Sequence, residues 1–414
     1  MDAVWRIESA RLIAGLARIV RDVGLAEDLA QEALVAALEQ WPESGVPDNP
    51  GAWLMATGKH RAIDRLRRAG VHERRALELR RELEVRGQVE SPDLAAQIDD
   101  PFDDDLLRLV FTACHPVLST EARVALTLRL LGGLTTREIA RAYLISEATV
   151  AQRIVRAKRT LSAADVPFEV PGREELAERL ASVLEAIYLI FNEGYAATAG
   201  DDWFRPELVD EALRLGRILA ELLPSEPEVH GLVALMELQA SRLRARTGPS
   251  GEPVLLLDQD RSRWDWLLVE RGLAALERAR ATGGALGPYT LQAAVAACHA
   301  RARVPEDTDW ERIVALYDGL AQVRPSPVVE LNRAVAVGMA FGPAAGLELV
   351  DALGSEPALR DYHLLPAARG DLLAKLGREA EARAEFARAA SLTRNSRERA
   401  VLLARSAGRN TRPA

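Results

Sequence analysis

Residues 134–161 read LTTREIARAYLISEATVAQRIVRAKRTL, and no other stretch restricts the fold as tightly. Thr135 followed by Glu138 has the spacing of a capping box, which starts a helix. Ile139 and Ala140 fall on its inward side, and Tyr143 closes it. Ser146 is a good N-cap for a second helix, in which Val150 and Ile154 have the i, i+4 spacing of a buried stripe. The pattern is two short helices with a tight corner. The outward positions of the second hold Glu147, Thr149, Gln152, Arg153, Arg156 and Lys158. Such a helix fits a major groove, with Gln and Arg at base edges and the remaining polar groups at phosphates. A helical hairpin with a solvated basic face satisfies the same pattern, so this stretch alone leaves both readings open.

The rest of the chain is expected to be helical too. Ala, Leu, Arg and Glu dominate, while aromatic and β-branched residues are sparse, so the expected fold class is all-α. A chain of 414 residues, 48% of them hydrophobic, divides into two or three domains with real cores. The formal charge of −8 conceals segregation: Lys59 to Arg75 holds seven bases and two acids, whereas Glu90 to Asp105 holds seven acids and no base. Local patches therefore decide whether nucleic acid is a partner. Two distant cysteines, Cys114 and Cys298, give no disulfide framework and fit a reducing cytoplasm. Charges interrupt every apolar run of MDAVWRIESARLIAGLARIV, and no stretch approaches a membrane span, so a soluble cytoplasmic protein without a membrane partner is expected.

Breaks along the chain suggest the organisation. Residues 1–75 form one helical unit, with LAEDLAQEALVAALEQW as a strong helix, PESGVPDNP as a break and GAWLMATGKHRAIDRLRR as the next helix. Residues 76–104 read as a charged linker that ends in DDPFDDD. Residues 105–163 form a second unit containing the helix-turn-helix, and DVPFEVPG lies in a short linker over 164–172. Residues 173–410 are helical again. There LPAARGDLLAKLGREAEARAEFARAASL pairs two helices about Gly377, with Ala382, Phe386 and Ala389 in the spacing by which tetratricopeptide (TPR) helices nest. LNRAVAVGMAFGPAAGLELVDAL has a similar outline, so a TPR-like array is expected, with an irregular helical bundle as the alternative.

Two polar faces precede the helix-turn-helix. Asp28, Gln31, Glu32 and Glu39 share one stripe of their helix. Arg61, Arg65 and Arg68 form a basic edge suited to a phosphate track. Taken in order, AEDLAQEALVAAL, NPGAWLMATGKHRAIDRLRR and the opening stretch make residues 4–162 resemble the extracytoplasmic-function (ECF) sigma factors of bacterial RNA polymerase. YLIFNEGY, GPYTLQAAVAACHA and SPVVELNRAVAVGMA resemble the group of these factors with a long TPR-like C-terminal extension.

The resemblance implies promoter-specific initiation with core RNA polymerase, without catalysis or a cofactor. Asp28, Gln31, Glu32 and Glu39 would face the polymerase β′ clamp helices, and the β subunit would also be a partner. The −10 element would lie over 49–68, with His60, Arg61, Asp64, Arg65 and Arg68 as contacts and Trp53 packed inside. The −35 element would meet Thr135, Ser146, Glu147, Thr149, Gln152, Arg153, Arg156 and Lys158. The acidic linker would thread polymerase channels, and the extension would contact the sigma part of the same chain in place of a separate anti-sigma protein. His60 stands where many relatives have Asn, and Leu144 where they commonly have Gly.

Other chemistry has little support. Cys114-His115 and Cys298-His299 are adjacent pairs without CxxC or HxxxH, so no metal site is expected. No paired-carboxylate, Ser-His-Asp or Gly-rich phosphate motif stands out. LLLDQDRSRWDW could line a groove but is read as a helix start. The competing function is a one-component helix-turn-helix regulator or a TPR-type interaction scaffold, although neither needs the first unit.

Overall fold

The computed structural model describes residues 2–68, 101–143, 145–197, 204–248, 253–283 and 286–408. Most of the charged linker expected at 76–104, and the corner residue Leu144, lie outside the described residues. The fold is all-α, with eighteen α-helices and no β-sheet among the described residues. Two compact units divide the chain, Met1–Ile187 and Tyr188–Ala414.

The first unit begins with α1 (Asp2–Val20), α2 (Val23–Ser44) and α3 (Pro50–Arg68). Asp22 caps α2 by accepting from the Leu25 N–H at 2.7 Å. The break expected at residue 42 comes later: α2 runs through Pro42, and Gly45, at φ 85°, ends it. A proline in the last turn removes only one N–H from the ladder, so the helix survives there. Asn49 accepts from the Ala52 N–H at 3.0 Å and starts α3. Leu12, Ile13, Leu16, Leu29 and Leu54 fill the core between these helices. Trp53 is half-buried, with its ring edge-to-face on Trp41 at 5.4 Å.

The unit continues with α4 (Pro101–Ala113), α5 (Thr120–Leu130), α6 (Thr136–Tyr143) and α7 (Glu147–Ala163). Helix α4 starts ahead of residue 105, so the end of the expected linker is already helical. Phe111 of α4, Leu126, Leu128 and Leu130 of α5 and Ile139 of α6 are fully buried. Helix α1 packs on α2, α3 and α4, which draws both halves into one unit. Buried Asp105 receives Arg18 at 3.2 Å and Arg108 at 2.7 Å.

Helix α8 (Arg173–Tyr195) starts at the expected residue 173 and runs from the first unit, which reaches Ile187, into the second. The cause is local. The C-terminal end of α4 leaves carbonyls without helical donors, and α8 supplies donors to that region. Arg179 donates to the Phe111 carbonyl at 3.2 Å and Ser182 Oγ to the Cys114 carbonyl at 2.6 Å. Arg123 adds an ion pair with Glu185 at 3.1 Å.

The second unit holds the end of α8 followed by α9 (Pro206–Leu222), α10 (Pro227–Ala240), α11 (Trp266–Ala281), α12 (Pro288–Arg301) and α13 (Trp310–Val323). It ends with α14 (Pro327–Phe341), α15 (Pro343–Ala352), α16 (Leu364–Lys375), α17 (Glu379–Leu392) and α18 (Ser396–Ser406). Consecutive helices pack on one another from α9 to α18. Helix α10 is buried almost all round, and its Glu237 is neutralised by Arg217 at 3.0 Å and Arg271 at 3.3 Å. Small residues allow close approach: a Cβ at Gly346 would stand 2.7 Å from the Gly338 Cα. The turn between α16 and α17 uses Gly377 at φ 75°, and Ala382, Phe386 and Ala389 are buried behind it.

Candidate nucleic-acid interface

The corner motif is built by its caps. Glu138 Oε2 accepts from the Thr135 N–H and hydroxyl at 2.8 Å each, and Thr135 Oγ1 accepts from the Glu138 N–H at 3.2 Å. The reciprocal pair satisfies donors at the start of α6. Ser146 Oγ accepts from the Thr149 N–H at 3.1 Å, and the two hydroxyls meet at 2.7 Å. Val150, Ile154, Ala157 and Leu161 bury the inner stripe of α7, while Ile139 and Ala140 bury that of α6. Both helices are thereby fixed against α5, and α7 presents an opposite face to solvent.

Glu147, Gln152 and Arg156 are exposed on that face, and Thr149 and Arg153 are half-buried. Arg153 lies near Glu121, whose carboxyl is held below its ordinary range by its own backbone N–H and by Ser119, with smaller help from Arg153. Lys158 departs from the expected exposed position. Its side chain is 19% exposed, and its Nζ lies 2.5 Å from Glu27 on α2. Arg129 reaches the same carboxylate through Nε at 2.6 Å. Two cations thus converge on a residue that is 4% exposed. Burial of a carboxylate demands such partners, so Lys158 faces inward.

A second polar face lies on α3, where His60, Asp64 and Arg65 are exposed and Arg61 is half-buried. Arg68 ends α3, and its side chain lies outside the described residues. Arg61 pairs with Glu32 at 3.1 Å and Arg65 with the same carboxylate at 3.8 Å. The structure therefore joins two groups that the sequence had kept apart, an acid of the α2 stripe and the arginines of α3. Asp28 and Glu39 remain exposed on α2, and Gln31 is half-buried.

Glu27 went unrecognised as a site residue. A signal existed, since Val23, Ala26, Glu27 and Ala30 share the buried face of α2. A glutamate on an apolar stripe needs a cation from elsewhere. The adjacent Cys-His pairs have structural roles: the Cys114 thiol meets Thr127 Oγ1 at 3.2 Å and burial pushes its pKa up to about 11, while Cys298 sits in a core with Ile313, Val314 and Ala336. Among the described residues no group of three His, Cys, Asp or Glu side chains could hold a metal, and no helix is long and apolar enough to cross a membrane.

Residues 7–71 match the family Sigma-70 region 2, and residues 108–161 match Sigma-70, region 4. Residues 179–280 match a family of unknown function (DUF6596). An uncharacterized protein of Rhizobium meliloti is 46% identical over 394 residues, covering 94% of this chain and 91% of its own. The probable ECF RNA polymerase sigma factor SigI of Mycobacterium tuberculosis is 27% identical over 180 residues, 43% of this chain and 60% of its own length. The ECF RNA polymerase sigma factor SigK of Mycobacterium ulcerans is 29% identical over 157 residues, 36% of this chain and 78% of its own.

Proposed function

We propose, since this chain belongs to the sigma-70 family with regions 2 and 4 of the ECF type, that it binds core RNA polymerase and selects promoters through α3 and α7. Membership makes it a non-catalytic transcription factor. The observation that carries the promoter reading is the capped α6–α7 corner, which holds Gln152, Arg153 and Arg156 on an outward or half-outward face of one helix. In this reading α7 enters the major groove of the −35 element and α3 follows the melted −10 strand. Thr135, Ser146, Glu147 and Thr149 flank the groove-facing side chains, and His60, Arg61, Asp64, Arg65 and Arg68 meet the −10 strand.

Asp28, Gln31, Glu32 and Glu39 on α2 face the β′ clamp helices, with the β subunit as the further contact. Glu32 has two uses in this scheme. In the free chain it orients Arg61 and Arg65, and on polymerase its carboxylate exchanges these partners for the clamp. Lys158 reaches a phosphate only after giving up Glu27. The second unit is a TPR-like extension that regulates promoter output through contact with the sigma part. Its suggestive features are the successive packing of helices and the small-and-bulky nesting at Gly370, Ala382 and Phe386.

Binding to matched and scrambled −35 duplexes tests the placement of α7. Gln152→Ala and Arg153→Ala are each expected to reduce discrimination by about 1–3 kcal/mol, the range for a good base contact. Arg156→Ala should weaken both duplexes alike and flatten the salt dependence. Lys158→Ala should do the same to a smaller extent, because its ammonium must first leave Glu27. Equal losses on both duplexes for all four variants would mean that α7 does not read the −35 bases.

A further inference from the structure

The stretch between α10 and α11 is not the simple helix start that its sequence suggests. It forms three single-turn 3-10 helices, Leu243–Ala245, Leu256–Asp258 and Arg261–Arg263, tied by a bridge between Thr247 and Pro253. Only at Asp265, which accepts from the Leu268 N–H at 3.2 Å, does α11 begin. These turns border a cavity of about 560 Å³, lined by Phe204, Arg244, Thr247, Ser262, Arg263 and Trp264. That volume lies within the range of small-molecule sites.

The charge around the cavity is unbalanced. Arg244 is exposed and makes no hydrogen bond or ion pair among the described residues. Arg263 gives one N–H to the Thr247 carbonyl at 3.1 Å and has no ion pair among the described residues. A guanidinium carries five N–H donors, so both retain capacity. Among the described residues the lining includes no carboxylate. Nearby Asp260 accepts from the Ser262 N–H at 2.9 Å and hydroxyl at 2.7 Å, and these, with smaller help from the charge of Arg263, hold its carboxyl below the ordinary range.

The wall behind is both aromatic and cationic. Trp264 is 3% exposed, its Nε1 has no acceptor among the described residues, and its ring lies 4.9 Å from the Arg261 guanidinium and 5.9 Å from that of Arg242. Arg261 is 7% exposed and donates to the carbonyls of His299, at 2.6 Å, and Ala302. Among the described residues its Nε and Nη2 have no acceptor. Burial, with Arg242 and Arg261 nearby, pushes the His299 pKa down to about 4, so this imidazole adds no charge at neutral pH. Buried donors without acceptors are rare in folded proteins and call for a reason. Among the described residues the guanidiniums of Arg242, Arg244, Arg261 and Arg263 around this aromatic wall have no ion pair, with only the more distant charges of Glu306 and Asp307 acting on Arg261.

We propose that this cavity binds a small organic anion, whose phosphate or carboxylate group is held by Arg244 and Arg263 and whose flat apolar body lies against Trp264 and Phe204. Arginine pairs with either oxyanion through parallel N–H donors. The cationic groups behind Trp264 add a favourable field. The site lies wholly within the second unit, and its existence does not depend on the promoter reading.

Calorimetric titration of the full chain with phenyl phosphate, benzoate, inorganic phosphate and phenol tests the proposal. Phenyl phosphate or benzoate is expected to bind saturably and at least about tenfold more tightly than inorganic phosphate, with phenol weaker still. The tighter of the two aromatic anions identifies the preferred acid group. Arg244→Ala should reduce that affinity about tenfold or more, and Arg244→Glu should abolish binding, because each removes charge-assisted hydrogen bonds. Arg244 has no partner to lose among the described residues, so the thermal midpoint of the unliganded chain should stay unchanged. The absence of saturable binding by either aromatic anion at millimolar concentration would overturn the proposal. So would binding that Arg244→Glu leaves intact.

Discussion

Replacing Glu27 with alanine is expected to destabilise the first unit by about 3–5 kcal/mol, the usual cost of stranding the partners of a buried charge. The carboxylate sits between Arg129 at 2.6 Å and Lys158 at 2.5 Å, and both cations are about four-fifths buried. Removing it leaves two like charges close together with little water to screen them. The three residues come from α2, the end of α5 and the middle of α7, so the loss should not remain local. Amide hydrogen exchange in the full chain is the appropriate measurement, because a chain of two units need not unfold in one step. Exchange in α2 and α7 should accelerate together, by about a hundredfold or more at this free-energy cost. Lys158→Met should have a smaller effect, since Arg129 still neutralises Glu27. Acceleration confined to α2 would mean that the carboxylate does not tie the two halves together.

Phe386→Ala should cost the second unit about 3–5 kcal/mol. The ring is buried in a core with Leu372, Leu373, Ala382, Ala389 and Leu402. Gly370 allows it to pack directly against α16, where an added Cβ would come within 2.8 Å of the ring. Arg405 covers the ring with its guanidinium 4.0 Å from the centroid, and Asp371 holds that guanidinium at 2.6 Å. Truncation removes the contact between three helices at once. Helix α17 packs on α16 and α18, so exchange protection should fall there first and the first unit should keep its own. Protection lost evenly along the second unit would show that its helices open as one cooperative block. Unchanged protection would mean that the core around residue 386 closes over the vacancy.

These two sites mark the limit of what the sequence made legible. Rules that act over three or four residues were readable: the Thr135–Glu138 box, the Ser146 cap and the stripe of Val150 and Ile154 all stand as their spacing suggests. The nesting residues Ala382, Phe386 and Ala389 were visible for the same reason, since a helix of period 3.6 places them on one face. Pairings across the fold were not readable. Periodicity left Lys158 outside because it reports an angle around a helix and cannot report that Glu27, distant in sequence, lies opposite. The same holds for Glu32 with Arg61 and Arg65. The reach of the first unit was obscured where tertiary donors intervene, as at α8, whose Arg179 and Ser182 join it to that unit. The cavity beside Trp264 was hidden because three short turns replace the helix that its composition favours.

In the function proposed above, this chain brings core RNA polymerase to particular promoters. Run-off transcription measures it directly, with core enzyme alone and core enzyme supplemented with the full chain, on a template carrying a promoter drawn from DNA that the chain retains. A discrete transcript is expected only when the chain is present, and it should diminish when Gln152, Arg153 and Arg156 are replaced by alanine together. A transcript of the same start and yield without the chain, or none with it, would contradict the account.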